Sequence, residues 1–124
     1  PAMAKVIPDA ILDAMLDAAE GTIMCVCSAE PTTYAELTST YKLADVVIDG
    51  TDYTAANGDS SGRKNTIQAQ SAVPIDSTGT ATHVGVGRTT GSVLLVVTTC
   101  TSQALTSGGT VDIGAWKQEL ADPT

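Results

Sequence analysis

Phenylalanine is absent from this chain, and its only aromatic residues are three tyrosines and one tryptophan among 124 residues. Hydrophobic residues nevertheless make up 43% of the sequence, which is too high a fraction for a chain that is disordered by composition. The core is therefore expected to consist of Val, Ile, Leu, Ala and Met side chains. A chain of this length is enough for one domain with a modest core and too short for two.

Basic residues are also scarce. Six Lys and Arg residues stand against fourteen Asp and Glu residues, which gives a formal net charge of −8. A protein that follows nucleic-acid phosphates needs a basic surface, so no nucleic-acid partner is expected. An acidic surface keeps crowded copies of a protein apart, and it can complement a basic patch on a protein partner.

Long apolar runs are missing as well. No run approaches the 18 or more residues of a membrane-spanning helix, and the first residues, PAMAKVIPD, lack the apolar core of a signal peptide. We therefore expect no membrane partner and no export from the cytoplasm. The three cysteines are an odd number, so they cannot form a complete set of intrachain disulfides. Cys25 and Cys27 lie on one face of a strand and are too close to bridge comfortably, so we expect reduced thiols.

Residues 8–20, PDAILDAMLDAAE, predict one amphipathic helix, preceded by an arm at residues 1–7. Pro8 suits the first turn of a helix, and Gly21 suits the position just past its end. The apolar stripe of this helix consists of Ile11, Leu12, Met15, Leu16 and Ala19. Asp13 lies on the opposite face, which is expected to contact water. The stripe must be buried against the rest of the chain or against a neighbouring copy.

The remaining sequence is typical of short strands separated by glycine turns. The segments predicted as strands are 22–29, 44–49, 64–70, 71–76, 80–88, 92–101 and 110–116. Residues 89–91, Thr-Thr-Gly, are typical of a hairpin turn with a bulge, and Pro74 indicates an edge strand or a bulge. The predicted fold is mainly β: a small β-sandwich or barrel of antiparallel strands preceded by one N-terminal amphipathic α-helix, with residues 8–124 as a single domain.

The run VLLVV at 93–97 is apolar on both faces of its strand. One face is expected to pack on the facing sheet, and the other on the helix or on a neighbouring subunit. A core this small and poor in aromatics favours stabilisation by assembly, so a homo-oligomer is expected, with a trimer as the specific hypothesis. The candidate assembly surface consists of Met3, Val6, Ile7, Leu12, Leu16, Val93, Leu95 and Val97.

One motif imitates a serine nucleophile. Residues 58–62, Gly-Asp-Ser-Ser-Gly, spell G-x-S-x-G, and Ser60, Asp76 and His83 follow the chain order of an α/β-hydrolase triad. A nucleophile elbow needs a helix directly after the serine, whereas RKNTIQAQ follows here and alternates like a strand. The motif is therefore interpreted as a turn.

A second motif, GVGRTTG at residues 85–91, imitates a phosphate-binding loop. Such a loop opens a helix whose N-terminus holds the phosphate, but the strand-like SVLLVV follows. The glycines are instead expected to let another side chain or backbone approach the sheet closely. Alternation places His83 on one face with Ala81, Gly85 and Gly87.

The metal-binding patterns are weak. Zinc needs three or four His, Cys or carboxylate ligands, and His83 is the only histidine. Cys25 and Cys27 form a C-x-C pair, which favours small buried thiols over ligands. Three nearby carboxylates have a spacing unlike that of an EF-hand, namely Asp49, Asp52 and Asp59. No enzyme activity and no cofactor are therefore expected.

Several sequence segments resemble those of small structural proteins encoded by tailed bacteriophages and prophages. They are CSAEPTTYAEL (27–37), GDSSGRK (58–64), TGTATHVGV (78–86), VTTCTSQALTSGGTV (97–111) and ADPT (121–124). The resemblance implies a non-enzymatic virion protein, assembled in the host bacterial cytoplasm, which decorates or cements the head by binding the major capsid protein. Alternative positions are the head–tail connector, the tail or a fibre. Alternatives of another class are a host-surface binding module and a small hydrolase.

Overall fold

The structure, a computed structural model, describes residues 7–120. One α-helix, α1, spans Asp9–Ala18, and short π-helical and 3₁₀ turns occupy Glu36–Thr40 and Gly50–Asp52. The strands are β1 (Ile23–Cys27), β2 (Lys42–Val47), β3 (Tyr53–Asn57), β4 (Arg63–Ile67), β5 (Gln70–Pro74), β6 (Gly79–Arg88), β7 (Val93–Leu105), β8 (Thr110–Ile113) and β9 (Trp116–Leu120). Among the described residues, no helix is both long enough and apolar enough to cross a membrane.

The strands form three antiparallel sheets. The largest has four strands in the order β2-β1-β6-β7, the second has the order β3-β4-β9, and the third pairs β5 with β8. An isolated bridge between Ala44 and Ile75 joins the end of β5 to β2. The predicted fold class is confirmed: the protein is mainly β, its sheets are antiparallel, and one amphipathic helix precedes them.

The main core lies where the three sheets face one another. Each sheet contributes buried aliphatic side chains, and Tyr53 is the only aromatic residue buried among them. The other buried members are Met24, Val26, Leu43, Ala44, Ile48, Ile67, Val73, Ile75, Ala81, Val84, Val86, Leu105, Val111 and Ile113. This composition agrees with a core built without phenylalanine.

A second, smaller cluster covers the outer face of the four-stranded sheet. Because side chains alternate along a strand, β1 sends Met24 and Val26 into the main core, and Cys25 and Cys27 to the other face. There the two cysteines pack with Leu37 from the π-helical turn, and with Ile23, Tyr41 and Leu94 at the margin. The second face of β7 is therefore covered by the turn at Leu37, and the expected cover by α1 is wrong.

Two glycines of β6 allow Leu37 to approach the sheet. A Cβ atom on Gly85 would lie 2.5 Å from Leu37 Cδ1, and one on Gly87 would lie 2.9 Å from Leu37 Cδ2. Both distances are too short for real contacts. The predicted close approach at these glycines is confirmed, and the following segment is a strand, as expected.

An irregularity in the pairing of β6 with β7 changes the predicted sharing of faces along β6. The β6–β7 register shifts between Ala81 and His83, so that Ala81 lies in the main core. His83 pairs with Cys27 and Gly85 with Cys25, which places both on the outer face. The prediction that Ala81 shares a face with His83 is therefore wrong, because the ladder is irregular between them: the single residue Thr82 of β6 lies opposite three residues of β7, 100–102.

Other boundaries also differ from those predicted. The helix is shorter than residues 8–20, and β7 continues to Leu105. The predicted strand at 110–116 divides at Gly114 and Ala115 into β8 and β9, which join different sheets. Ala115 is consequently exposed and does not share a face with Ile113. In β5 a register shift lies between Gln70 and Val73, where Ala72 has a φ of +54°. Pro74 itself pairs in register with Thr110, so the irregularity lies two residues before it; β5 is an edge strand of its two-stranded sheet.

We predict that Gly85→Ala lowers the free energy of unfolding by about 1–3 kcal/mol, because the new methyl group overpacks against the fully buried Leu37. Gly114→Ala is the matched control, since a Cβ there has no other atom within 4 Å and should change stability little. Chemical denaturation measures both. In a Leu37→Ala background the cost of Gly85→Ala should shrink. An equal cost in both backgrounds would show that Leu37 is not the obstacle.

Candidate assembly surface

Helix α1 packs against β4 and β9 of the three-stranded sheet. Leu12 and Leu16 are only 1% and 4% exposed, so the predicted burial of the stripe is confirmed at these positions. Ile11 and Met15 remain 53% and 49% exposed, because the stripe is wider than the surface it covers. Leu12 and Leu16 are thus corrected: they belong to the interior, and Ile11 and Met15 replace them on the candidate surface.

An ion pair fixes the first half of α1. Arg63 of β4 donates from Nε to Asp13 Oδ1 at 2.8 Å and from Nη2 to Asp13 Oδ2 at 3.4 Å. It also donates from Nη1 to Asn57 Oδ1 at 2.9 Å. The hydrogen bond with Asp13 raises the pKa of Arg63. Asp13 therefore faces the sheet and not only water, contrary to the prediction.

Polar contacts fix the end of the helix as well. Asn65, which is buried, donates from Nδ2 to Glu20 Oε2 at 2.8 Å. Burial raises the pKa of Glu20. The Gly21 N–H donates to the Tyr53 hydroxyl at 3.1 Å, and a Cβ on Gly21 would lie 2.2 Å from Val86 Cγ1. Position 21, just after the helix, therefore has room only for glycine.

Strand β7 lies at an edge of the four-stranded sheet. Within residues 7–120 it pairs only with β6, so one backbone edge of its 13 residues is free. Its sequence, VLLVVTTCTSQAL, has no charge or proline, two of the devices that usually protect an edge strand. Its pairing with β6 has register shifts between Leu94 and Val96 and between Thr99 and Gln103. The opposite edge, at β2, is paired in part, since the Asp76 N–H donates to the Leu43 carbonyl at 2.7 Å and Ala44 bridges to Ile75.

The three β7 residues of the predicted assembly surface lie on this edge strand. Val93, Leu95 and Val97 are all half-buried. Leu95 contacts the main core, whereas Leu94 contacts the outer cluster, so both faces of the strand pack within the chain. The open feature is therefore the edge of the strand rather than its faces, and sequence periodicity does not report it.

A cleft of about 260 Å³ separates β7 from β8. The two strands are joined by four residues, 106–109, yet they pair with different partners and diverge. Its apolar lining includes Val26, Val84, Cys100, Val111, Ile113 and Trp116. Its polar lining includes Thr98, Gln103 and Asp112. The free edge of β7 and an apolar depression thus occur side by side.

Ile7 is half-buried just before α1. Met3 and Val6, the other two residues of the predicted arm surface, lie outside the described residues.

The serine motif lies in the hairpin loop between β3 and β4. The Gly58 N–H donates to the Gly62 carbonyl at 2.9 Å, and Gly62 has a φ of +71°. Ser60 is exposed, and strand β4 follows directly, so the predicted turn is confirmed. The side chain of Asp59 is bound by Lys64 at 2.9 Å and also by Lys117, which closes this loop onto the sheet.

The other two members of the apparent triad have different partners. Asp76 forms an ion pair with Lys42 at 3.3 Å. His83 Nδ1 lies 2.8 Å from Thr82 Oγ1 in a hydrogen bond. The structure therefore does not assemble Ser60, Asp76 and His83 into a catalytic chain.

The cysteines are free thiols. Burial raises the pKa of Cys25 to about 12 and that of Cys27 to about 11, which keeps both protonated and unreactive at neutral pH. In the part of the chain that the structure describes, no three His, Cys, Asp or Glu side chains form a group suited to a metal ion. Asp49 and Asp52 cap the 3₁₀ turn, away from the lysines that bind Asp59.

No family model, no curated protein and no solved structure matches the chain.

We predict that Asp13→Asn lowers the denaturation midpoint more than Asp17→Asn does, because only Asp13 pairs with Arg63. Thermal melts at low and high salt measure this. The difference should shrink in high salt, since ions screen a partly exposed pair. Equal midpoints for both variants at low salt would show that the pair contributes nothing.

Stability should also fall as pH rises above about 8.5, the ordinary pKa of a cysteine. Above this pH the unfolded state loses its thiol protons. The folded state keeps them longer, because the pKa of Cys25 is raised to about 12 and that of Cys27 to about 11. The unfolded state therefore binds fewer protons than the folded state in this range, and stability decreases as the pH rises. Urea denaturation from pH 8 to 10.5 tests this. A Cys25→Ala/Cys27→Ala variant should show a flatter pH dependence, and an unchanged slope would contradict the assignment.

Proposed function

We propose that this chain is a non-enzymatic structural protein of a tailed-bacteriophage virion, and that it decorates the assembled head by binding the major capsid protein. The observation that carries the assembly role is the free, uncharged edge of β7. The assignment to a virion rests on the resemblance of the strand and turn segments of the sequence to phage structural proteins. The proposal includes a homo-oligomer, with a trimer as its specific form.

The free edge of β7 supports a role in an assembly. Each strand edge presents unpaired N–H and C=O groups that accept another strand. Proteins that stay monomeric often protect such edges with charges or prolines, and β7 has neither over its 13 residues; its irregularities are the two register shifts with β6. Assembly with another chain would satisfy these backbone groups.

Exposed apolar side chains on α1 supply a second contact surface. Ile11 and Met15 lie one turn apart on the same face of α1 and are each about half exposed. Large apolar side chains grouped in this way mark interaction surfaces more often than isolated ones do. Val47, at 79% exposure on the edge strand β2, stands apart from this pair and serves as a control position.

The distribution of charge suits a protein crowded on a particle. Four of the five described basic residues are engaged by carboxylates, namely Lys42, Arg63, Lys64 and Lys117. Most basic groups are thus already paired, and the excess of carboxylates gives the chain its net charge of −8. Such a surface discourages contact between particles, and it would complement a basic patch on the shell.

A trimer is the favoured assembly by analogy with icosahedral shells, on which local three-fold positions are common. It places each copy against a repeated site on the head.

We predict that the intact protein co-sediments with purified heads that lack it, and that Ile11→Asp/Met15→Asp weakens this binding by roughly tenfold or more, because it places charge in an apolar contact. Val47→Asp is the matched control and should bind normally. Quantitative gels of purified virions should show hundreds of copies per particle. About a dozen copies, or antibody labelling confined to the neck or tail, would overturn the head assignment in favour of a connector or tail protein.

A further inference from the structure

We propose that the exposed apolar face of helix α1 of one copy packs into the cleft between β7 and β8 of a second copy. The inference rests on the homo-oligomer of the proposed function, for which it names the two surfaces that meet. Both surfaces lie within residues 7–120.

One face of α1 is exposed and apolar. A surface helix ordinarily presents charged or polar side chains on the side away from the core. In α1 five exposed residues at three- and four-residue spacing form one continuous apolar face, namely Ala10, Ile11, Ala14, Met15 and Ala18. We call these five residues the outer face of α1. The three aspartates of the helix lie outside it, at positions 9, 13 and 17.

The cleft has room for the two large side chains of this face. An apolar cavity of about 150 Å³ holds benzene, so at the same density the cleft accommodates about ten non-hydrogen atoms, given its volume of about 260 Å³. The side chains of Ile11 and Met15 contain four non-hydrogen atoms each. They lie about 6 Å apart along the helix axis, while the cleft follows β8 from Val111 to Gly114, a distance of about 10 Å.

The lining of the cleft also suits these side chains. Methionine is unbranched and flexible, so it fills irregular apolar spaces, and its sulfur makes favourable contacts with aromatic rings. The lining includes Trp116 and the aliphatic side chains of Val84 and Ile113. Burying Ile11 and Met15 there would remove two large apolar side chains from water.

Charge does not oppose this contact. The outer face of α1 has no charged residue, and Asp112 is the only charged residue among the described ones that line the cleft. Asp112 Oδ1 already accepts a hydrogen bond from the Ala72 N–H at 2.8 Å. In a chain with a net charge of −8, contacts between more acidic surfaces would be repulsive. The outer face and the cleft can therefore meet with little of that repulsion.

The outer face of α1 cannot enter the cleft of its own chain. Leu12 and Leu16 fix the other side of the helix on the sheet that contains β4 and β9, so the outer face points away from the domain. The contact therefore needs a second copy. It is head-to-tail, because two different surfaces meet, and a ring of three copies requires contacts of this kind.

The helix side is tested with Ile11→Gln/Met15→Gln, which removes the apolar side chains, keeps the net charge and leaves good helix formers at both positions. Val47→Gln, at an exposed apolar position of β2, is the matched control. Sedimentation equilibrium should show oligomers for the intact chain and the control. The double variant should associate roughly tenfold more weakly or less, because its contact loses two apolar anchors.

Two residues of the cleft lining report whether the cleft is filled. Trp116 is the only tryptophan of the chain, and Cys100 is a half-buried thiol. In the double variant Trp116 emission should shift to longer wavelength, and Cys100 should react with N-ethylmaleimide roughly tenfold faster than in the intact chain, because most clefts lose their occupant. The fully buried Cys25 and Cys27 should stay unreactive in both proteins.

The cleft side is tested with Gly114→Leu, which adds a side chain to the cleft lining without a clash at its Cβ. Ala115→Leu, at the adjacent exposed position, is the matched control. Gly114→Leu should dissociate the oligomer, and Ala115→Leu should not. Thermal melts of the dissociated variants confirm that they are folded.

Mixing the two defective variants distinguishes a head-to-tail contact from a contact between two α1 helices. The double variant keeps its cleft, and Gly114→Leu keeps its outer face. Equal amounts of the two should form a one-to-one complex, although neither variant associates strongly alone. Prior alkylation of Cys100 in the double variant should prevent this complex, because the added group occupies the cleft.

The proposal is overturned if Gly114→Leu keeps the mass of the intact oligomer, if the mixture contains only monomers, or if the intact chain is itself monomeric. Co-sedimentation with heads is a separate measurement. An oligomer that forms through this contact but does not bind heads would contradict the proposed function alone. Head binding by an intact chain whose oligomeric mass both variants preserve would contradict this contact alone.

Discussion

The arrangement depends on β1 and β6, the two central strands of the largest sheet, being covered on both faces. One face packs against the other two sheets, and the outer face packs on Leu37 through the glycines Gly85 and Gly87. Without phenylalanine, the protein reaches this coverage with small aliphatic side chains in close contact. Strand β7 is also packed on both faces, but within residues 7–120 one of its backbone edges has no partner strand.

The position of α1 follows from polar contacts as much as from its apolar stripe. Leu12 and Leu16 supply burial, while Asp13–Arg63 holds the middle of the helix to β4 and Glu20–Asn65 holds the segment just after it. An apolar stripe alone would allow the helix to rotate, because Ile11 and Met15 could replace the buried leucines. The polar pairs select one rotation, and that choice leaves Ile11 and Met15 exposed.

Local periodicity predicted most of the strands and the helix, since alternation and the 3.6-residue repeat arise from the backbone itself. It missed β3 and β9, whose segments YTAAN and WKQEL have few β-branched residues. It could not place the register shift between Ala81 and His83, because the extra residues lie in the partner strand β7 and become visible only in the pairing. The free edge of β7 was also hidden, since strand order is a tertiary property. The virion role stays a proposal that depends on the resemblance.

The charge and the free edge act on association in opposite senses. A net charge of −8 opposes any approach of two copies, whereas unpaired backbone groups on an apolar strand favour it. Indiscriminate edge-to-edge pairing would bring two acidic surfaces together over a broad area. Charge therefore opposes the aggregation of whole domains through this edge.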